Sequence, residues 1–533
     1  MSDQQEPTDN EQSKSQTEDL ITSSLSQNVE RMKRTFGSST DLVIREMGLG
    51  PNHDVLVAIV YLDGLVDSLA VHQLLDSIVD HVNQRVAINI RFEGASVEEL
   101  RNSFAITVGG VSTESDWSKM ISQMLSGNTV VMIDGYQHAL SVSTIGWEHR
   151  NVSEPVSQSV IRGPQDAFTE VIRTNTALIR RRVKNPNLWL ETKEIGRMTK
   201  TDVAIMFIKG LAPEEIVDEV RHRIDQIDID GVLEGNYIEE FIQDTTWTVF
   251  PMVNNTERPD IVAAALLEGR IAILVDGTPF VLLVPALFTQ FLQSPEDYYH
   301  STDFGFVRML RFVAVFISLL APAFYIALTT YHQEMIPTVL LISIAAQREG
   351  VPFPAFVEAT MMELTFELLR EAGIRMPRAI GSAISIVGAL VLGQAAVDAG
   401  IISPAMVIIV AITAISGFIS PSIEFSYSIR LIRFIFMALA ATFGIFGMLV
   451  GFIGLVLHLC HLSSFNIPYM SPIAPFNAGD QRDTFVRVPW WAMLTRANLF
   501  PLRNKKRQQV MDRPWFVESK LKPNPEGNGG EGG

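Results

Sequence analysis

Four stretches in the second half of the chain contain no Asp, Glu, Lys or Arg, and this pattern restricts the fold more than any other feature. They cover residues 312–330, 379–397, 399–423 and 434–457. Each has the roughly 17–25 apolar residues that a helix needs to cross the hydrocarbon of a bilayer. We therefore expect an α-helical polytopic membrane domain over residues 306–460, with spans near 312–330, 379–397, 402–420 and 434–457.

The segment between the first two stretches predicts a broken element rather than a further span. Residues 336–346 are apolar but too short to cross a bilayer, and Pro352 and Pro354 interrupt any continuous helix. A second helical run follows from about residue 355 to 372. We expect residues 334–372 to form a re-entrant or interfacial element within the membrane domain.

The second helical run carries acidic residues between strongly apolar segments. Glu363, Glu367 and Glu371, here called the glutamate row, recur every four residues and so share one face of the helix. Thr360 lies one turn earlier on that face, and Glu358 points elsewhere. These five residues form the best candidate site in the sequence.

The glutamate row is compatible with two positions: it could line a pore, or it could lie on the surface of the protein. A carboxylate at membrane depth costs roughly 2.5 kcal/mol or more, so it persists where it faces water, a partner or an ion path. If identical subunits surrounded an axis, each glutamate would become a ring of negative charge that selects cations. Thr360, Glu358 and the glutamate row are then candidate pore-lining residues. The alternative is a surface helix with its glutamates in water or in ion pairs, such as Glu371 with Arg375.

The last apolar stretch contains a glycine seam. Gly444, Gly447, Gly451 and Gly454 follow at spacings of three, four and three residues, which places them on one face of a helix. Small residues allow the backbone of another helix to approach closely. The spacing is consistent with a partner helix from the same subunit or from a neighbouring one.

The first half of the chain repeats itself. The sequence VAIVYLDGL at 57–65 resembles VAIMFIKGL at 203–211, 146 residues later, and VVMIDG at 130–135 resembles AILVDG at 272–277, 142 residues later. Runs rich in β-branched residues predict strands, and Asp-Gly is a typical hairpin turn. We predict an α+β soluble N-terminal region of two similar β-α-β subdomains, residues 41–155 and 156–305. The run at 271–292 is then a hairpin followed by a short helix.

The two ends of the chain differ in charge. The first thirty residues hold seven acidic residues and one basic residue, which predicts a disordered acidic tail over residues 1–40. The C-terminal tail, residues 461–533, is basic, with eight Lys or Arg between Arg482 and Arg513. Because basic segments beside membrane spans favour the cytoplasmic side, we expect both ends there with four spans. A fifth span through residues 355–372 is the alternative, and it would place the basic tail outside.

Several function classes are disfavoured. A formal net charge of −17, without a basic stripe interleaved with aromatic residues, argues against a nucleic acid partner. The chain has no G-x-x-x-x-G-K-[ST], G-x-S-x-G or H-E-x-x-H motif. His458 and His461 with Cys460 form too small a ligand set to predict a metal. We therefore expect no enzymatic activity and no cofactor.

Motifs along the chain resemble those of one known family. They are IRGP at 161–164, NNTERP at 254–259, QSPEDYY at 293–299, REGVPFP at 348–354 and ELLREAG at 367–373. Over roughly residues 45–475 the chain resembles the A-subunit family of bacterial spore germinant receptors, the GerA type.

This resemblance implies a multi-pass subunit in the inner membrane of the bacterial spore, with its soluble N-terminal domain on the cytoplasmic, core side. It implies a transporter-like B subunit and a lipoprotein C subunit as partners, with membrane lipid around the helices. The complex would respond to nutrient germinants and start germination, and the A subunit would form a homo-oligomeric channel for monovalent cations. Because the family's germinant pocket is attributed mainly to the B subunit, we place none here.

Two other functions fit parts of the pattern. A secondary transporter subunit also has broken helices and intramembrane carboxylates, but the internal membrane repeat that it predicts is not visible in the sequence. A membrane-anchored scaffold of the germination or dipicolinic-acid release machinery would use the duplicated domain to assemble its partners. Substitutions in the glutamate row would then be silent.

Overall fold

The structure is a computed structural model that describes most of the chain. The described residues are 20–37, 39–49, 55–87, 110–146, 155, 158, 160, 162–299, 305–375, 393–477, 479–485, 487–488, 493–496 and 506–507. Within them an α+β region of two antiparallel sheets precedes a helical region rich in apolar residues, which confirms the predicted fold class. Most of the predicted span at 379–397 lies outside the described residues.

The first subdomain is a five-stranded antiparallel sheet with helices on both faces. Its elements are α1 (Leu25–Phe36), β1 (Leu42–Leu49), β2 (Val55–Leu62), α2 (Ser68–Ala87), β3 (Val111–Glu114), α3 (Trp117–Met124), β4 (Thr129–Ile133) and β5 (Ala139–Val142). The strand order is β1-β2-β4-β5-β3. Because side chains alternate along a strand, Ala58 and Val60 pack with α1 and α3, whereas Val57 and Ile59 pack with α2.

The second subdomain has the same arrangement. Its elements are α4 (Ile172–Arg182), β6 (Leu188–Ile195), β7 (Thr201–Ile208), α5 (Glu214–Asp225), α6 (Gly235–Ile242), β8 (Asn254–Thr256), α7 (Pro259–Leu267), β9 (Ile271–Val275) and β10 (Val281–Val284). The strand order, β6-β7-β9-β10-β8, repeats that of the first sheet. The register agrees as well, since Val57 lies opposite Ile133 and Val203 lies opposite Val275. The predicted duplication is confirmed, and so is the hairpin within 271–292.

The first repeat begins earlier than the sequence predicted. In the turn after β4, Asp134 accepts a hydrogen bond from the Leu25 amide at 2.9 Å. In the equivalent turn after β9, Asp276 accepts one from the Ile172 amide at 3.0 Å, so α1 corresponds to α4. The prediction of a disordered tail over residues 1–40 is therefore wrong for α1. A count of charges over thirty residues hides the apolar face that α1 buries, which consists of Leu25, Val29, Met32 and Phe36.

A buried ion pair joins the two subdomains. Asp41, just before β1, accepts hydrogen bonds from the Arg180 guanidinium of α4, one of them at 2.8 Å, and both side chains are almost fully buried. The Ser39 hydroxyl accepts from Arg180 at 2.9 Å and from the Leu190 amide of β6 at 3.0 Å. Because breaking a buried ion pair is costly, these contacts fix the two sheets relative to each other.

The helical region begins beyond the second sheet. Its elements are α8 (Glu296–Tyr299), α9 (Phe306–Thr330), α10 (Thr338–Arg348), α11 (Ala355–Arg375), α12 (Pro404–Phe418) and α13 (Ile423–His461). α10 and α11 are separated by residues 349–354, where the two prolines lie, and a re-entrant or interfacial position for residues 334–372 stays a prediction. Among the described helices, α9 and α13 are long and apolar enough to cross a membrane. α12 has 15 residues and a length of about 22 Å, so a crossing at 402–420 stays a prediction.

α13 is a hairpin of two helices. Gly444 has φ 62° and ψ −144°, far from helical values. The ring of Phe250 lies 6.2 Å from the ring of Phe425 and 6.3 Å from that of His458, at opposite ends of α13. A straight helix of 39 residues would be about 58 Å long, so the ends meet because residues 423–443 and 445–461 run antiparallel. The prediction of a single span at 434–457 is wrong, because the hydropathy of the sequence gives no sign of the turn at Gly444.

Two residues of the glycine seam, Gly447 and Gly451, lie where the two halves of this hairpin meet. A Cβ atom on Gly447 would collide with the Leu439 carbonyl, and one on Gly451 would collide with the Leu439 side chain. Leu439 belongs to the other half of α13, so the close approach occurs within one subunit. Gly444 forms the turn itself, and Gly454 faces open space.

Replacing Gly444 with alanine is expected to destabilise the helical region by roughly 1–3 kcal/mol. The left-handed φ disfavours any side chain, and a Cβ atom would lie 2.6 Å from the His332 ring. The thermal unfolding midpoint of the purified chain in detergent measures this effect. Gly454→Ala is the matched control, because an added Cβ there meets nothing within 4 Å. Equal midpoints for the two variants would contradict a turn at Gly444.

Candidate functional site

Glu358 lies near the start of α11 and holds three helices together. Its side chain is fully buried, and its Oε2 accepts a hydrogen bond from the Ser403 amide at 2.9 Å. Its Oε1 lies 3.3 Å from the Arg348 guanidinium. Since Arg348 ends α10 and Ser403 precedes α12, one carboxylate links α10, α11 and α12. Its neighbours differ from those of the glutamate row.

Glu363 lies in the interior of the helical region. Arg433 of α13 donates a hydrogen bond to its Oε2 at 2.5 Å and another to the Ser318 hydroxyl of α9 at 2.9 Å. Both side chains of the pair are buried. Helices α9, α11 and α13 therefore meet at one ion pair, and each partner partly compensates the cost of burying the other's charge.

The glutamate row passes from the interior to the surface along α11. The exposed fraction of the side chain rises from 3% at Glu363 to 29% at Glu367 and 55% at Glu371. Glu367 pairs with Arg430 of α13 at 3.1 Å and with Arg370 of its own helix at 3.3 Å. The row therefore faces α13 at its buried end and solvent at the other.

The remaining candidate residues make local contacts. Glu371 pairs with Arg375 at 2.6 Å, which is the ion pair that the surface interpretation predicted. The Thr360 hydroxyl donates to the Phe356 carbonyl of the same helix at 2.7 Å. On the opposite face of α11, Leu364 and Leu368 are exposed.

The sequence analysis identified the carboxylates but not their partners on α13. Arg430 and Arg433 are three residues apart, so they share one face of a helix and meet an acidic row of similar spacing. Two arginines at this spacing beside an uncharged stretch are a signal of a partner face for the glutamate row, although they do not specify which arginine meets which glutamate. Among the described residues, no group of three or more His, Cys, Asp or Glu is placed to hold a metal ion.

A second polar group, the junction cluster, consists of Asp297, Tyr298, Arg308, Arg311 and Asp483. Asp297 accepts from Arg308 at 3.0 Å and from Arg311 at 2.8 Å. Asp483 accepts from Arg308 at 2.9 Å and from the Tyr298 hydroxyl at 3.0 Å. Burial and the charge of Asp483 raise the pKa of Tyr298, so its hydroxyl stays a donor at neutral pH. The cluster joins α8, α9 and the C-terminal segment, and the sequence analysis did not predict it.

Comparison with known proteins identifies the family of this chain. Residues 30–499 match the family model described as Bacillus/Clostridium GerA spore germination protein. The chain belongs to the GerA family. The match spans both sheets, the junction cluster and the whole helical region, and it confirms the resemblance found in the motifs.

GerA relatives align with nearly the whole chain. Spore germination protein KA of Bacillus subtilis (strain 168) is 50% identical over 496 residues, which are 93% of this chain and 90% of that protein. Spore germination protein GerLA of Bacillus cereus is 38% identical over 494 residues, 92% and 95% of the two chains. A solved structure, the N-terminal domain of the A subunit of the Bacillus megaterium spore germinant receptor GerK3, is 42% identical. It covers 50% of this chain and 97% of that one, with a TM-score of 0.40.

Proposed function

We propose that this GerA chain is the A subunit of a spore germinant receptor, a complex that responds to nutrient germinants and starts germination. It acts in the inner membrane of the spore with a transporter-like B subunit and a lipoprotein C subunit, and its two sheets lie on the cytoplasmic side. The family match and the names of the relatives support this role. Several copies assemble into a channel for monovalent cations.

The surface of the helical region supports insertion into a bilayer. α9 has 25 residues and a length of about 37 Å, which exceeds the roughly 30 Å of hydrocarbon. Large apolar side chains point outward, among them Phe316 of α9 and Phe446 and Ile453 of α13. Apolar surface of this extent requires lipid or protein around it.

Helix α10 supports assembly into a homo-oligomer. None of its residues is buried within the chain, and Val339, Leu340 and Ile342 are exposed. α11 turns Leu364 and Leu368 outward as well. Contact with a second copy would cover these side chains, and we place the ion path among the α11 helices of the assembled copies.

The observation that carries the channel proposal is the glutamate row, which faces two arginines inside the helical region. Ionisable residues within membrane helices commonly mark ion pathways. Arg433 and Arg430 compensate Glu363 and Glu367, so we assign this arrangement to the closed state. We expect opening to separate α11 from α13, which would free the carboxylates to attract cations.

Ion flux through the purified receptor complex in liposomes tests this proposal. Glu363→Gln and Glu367→Gln are expected to lower the germinant-triggered preference for cations by about tenfold, equivalent to roughly 1.4 kcal/mol. Glu349→Gln is the matched control, because it removes an exposed carboxylate between α10 and α11. Unchanged selectivity with assembly intact would contradict the ion path and favour a scaffold. Flux coupled to a solute at fixed stoichiometry would favour a transporter.

A further inference from the structure

A small cavity lies where the second sheet meets the start of α13. Its volume is about 190 Å³, which is enough for several water molecules. Three carboxylates, from Glu234, Glu239 and Glu424, line it together with the side-chain amides of Asn236 and Asn255. Phe280 and Leu282 form its apolar wall.

Two of the three carboxylates already have hydrogen-bond donors. Glu234 accepts from the Asn236 amide at 2.7 Å, which caps α6, and from the Thr278 hydroxyl at 3.2 Å. Glu424 accepts from the side-chain amide of Asn255. These contacts account for the positions of Glu234 and Glu424 as parts of the fold.

Glu239 is different, because its carboxylate has no hydrogen bond or ion pair with any described residue. The residue is only 9% exposed and lines the cavity. Burial and the charges of Glu424, Glu234 and Glu240 raise its pKa to about 8. Among the described residues that line the cavity there is no Lys or Arg. The environment of Glu239 therefore favours a positive charge brought in from outside.

We propose that this cavity binds a small organic ammonium ion, with Glu239 as its counter-charge. Carboxylate and amide oxygens accept the N–H groups of such an ion, and Phe280 and Leu282 contact its carbon atoms. A bare metal ion fits less well, since no three acidic or histidine side chains among the described residues are placed to bind one together. Because Glu424 belongs to α13, an occupied cavity ties the second sheet to the hairpin. Binding here is independent of the proposed ion path and is measured without ion flux.

Thermal unfolding of the full chain in detergent at pH 9 tests the site, with ethylammonium chloride as the probe. Alkyl ammonium groups stay charged there, since that of Lys has a pKa of about 10.4. Ethylammonium is expected to raise the unfolding midpoint until the site is saturated. Tetramethylammonium, which has no N–H donor, is expected to leave the midpoint unchanged. Sodium chloride at equal ionic strength is expected to leave it unchanged as well. Glu239→Gln should weaken the effect at least tenfold. Glu215→Gln, at an exposed carboxylate of α5 that does not line the cavity, should leave it intact.

Calorimetry of the unmodified chain provides a measurement that does not depend on a variant. At pH 7 Glu239 is mostly protonated, so ethylammonium binding is expected to release most of one proton and to be weaker than at pH 9. Equal shifts from all three salts, or an undiminished shift in Glu239→Gln, would overturn the proposal. So would the absence of any measurable ethylammonium binding at pH 9 in the calorimeter. In each case the proton alone would be the cation that neutralises Glu239.

Discussion

Replacing Asp297 with asparagine is expected to lower the free energy of unfolding by about 3–5 kcal/mol, the typical cost of breaking a buried ion pair. The Asp297 side chain is 4% exposed, and its carboxylate binds two buried cations, Arg308 and Arg311. Asparagine has nearly the same size but no charge, so Arg311 would lose its carboxylate and Arg308 would keep only Asp483 where α8 meets α9. Denaturant unfolding of the full chain in detergent measures the change.

Asp228→Asn is the appropriate control for this substitution. Asp228 pairs with Arg197 on the surface of the second subdomain, where water and salt screen both charges, and no measurable loss is expected. If the Asp297 and Asp228 variants unfolded at the same denaturant concentration, the junction cluster would not stabilise the chain. A loss confined to the Asp297 variant would identify the cluster as the anchor between the sheets and α9.

Replacing Arg433 with glutamine is expected to have the second large effect, a loss of about 3 kcal/mol. The substitution would leave the Glu363 carboxylate inside the helical region without its cation, and the Ser318 hydroxyl without a charged donor. Glutamine can still donate one hydrogen bond, so the fold should persist with lower stability. Thermal unfolding in detergent, followed by circular dichroism, measures the loss.

The double variant Glu363→Gln with Arg433→Gln separates charge from packing. Removing both charges leaves no buried ion, so we expect it to recover at least half of the stability lost in the single variant. A double variant as unstable as Arg433→Gln alone would show that the two side chains matter through their packing. Glu363 and Arg433 would then be unsuited to the separation that the proposed channel requires.

The duplicated fold was predictable because its signals are local and occur twice. The β-branched runs that form β2 and β7 carry their own strand preference, and the Asp-Gly turns after β4 and β9 determine the hairpins. The break between α10 and α11 was predictable for the same reason, since Pro352 and Pro354 act on the backbone of their own segment.

Features that depend on distant residues were not predictable in this way. The contact between Glu363 and Arg433 joins positions 70 residues apart, and no local pattern specifies which arginine meets which glutamate. The turn at Gly444 depends on one backbone conformation within an uncharged run of residues. A count of apolar residues does not detect such a turn. The same counting concealed α1, whose buried face lies among charged and polar neighbours.

The hairpin also bears on how the protein is synthesised. Because both ends of α13 lie beside Phe250, the chain after His461 returns to the side of the sheets. There the Ser464 hydroxyl donates to the Met252 carbonyl at 2.9 Å and accepts from the Ala286 amide at 3.1 Å. During synthesis, the two helices of residues 423–461 can enter the bilayer together, with the uncharged turn at Gly444 inserting first. If the sheets lie on the cytoplasmic side, as proposed, the basic tail that leaves the ribosome next needs no translocation, and its arginines and lysines stay on the side where they are made.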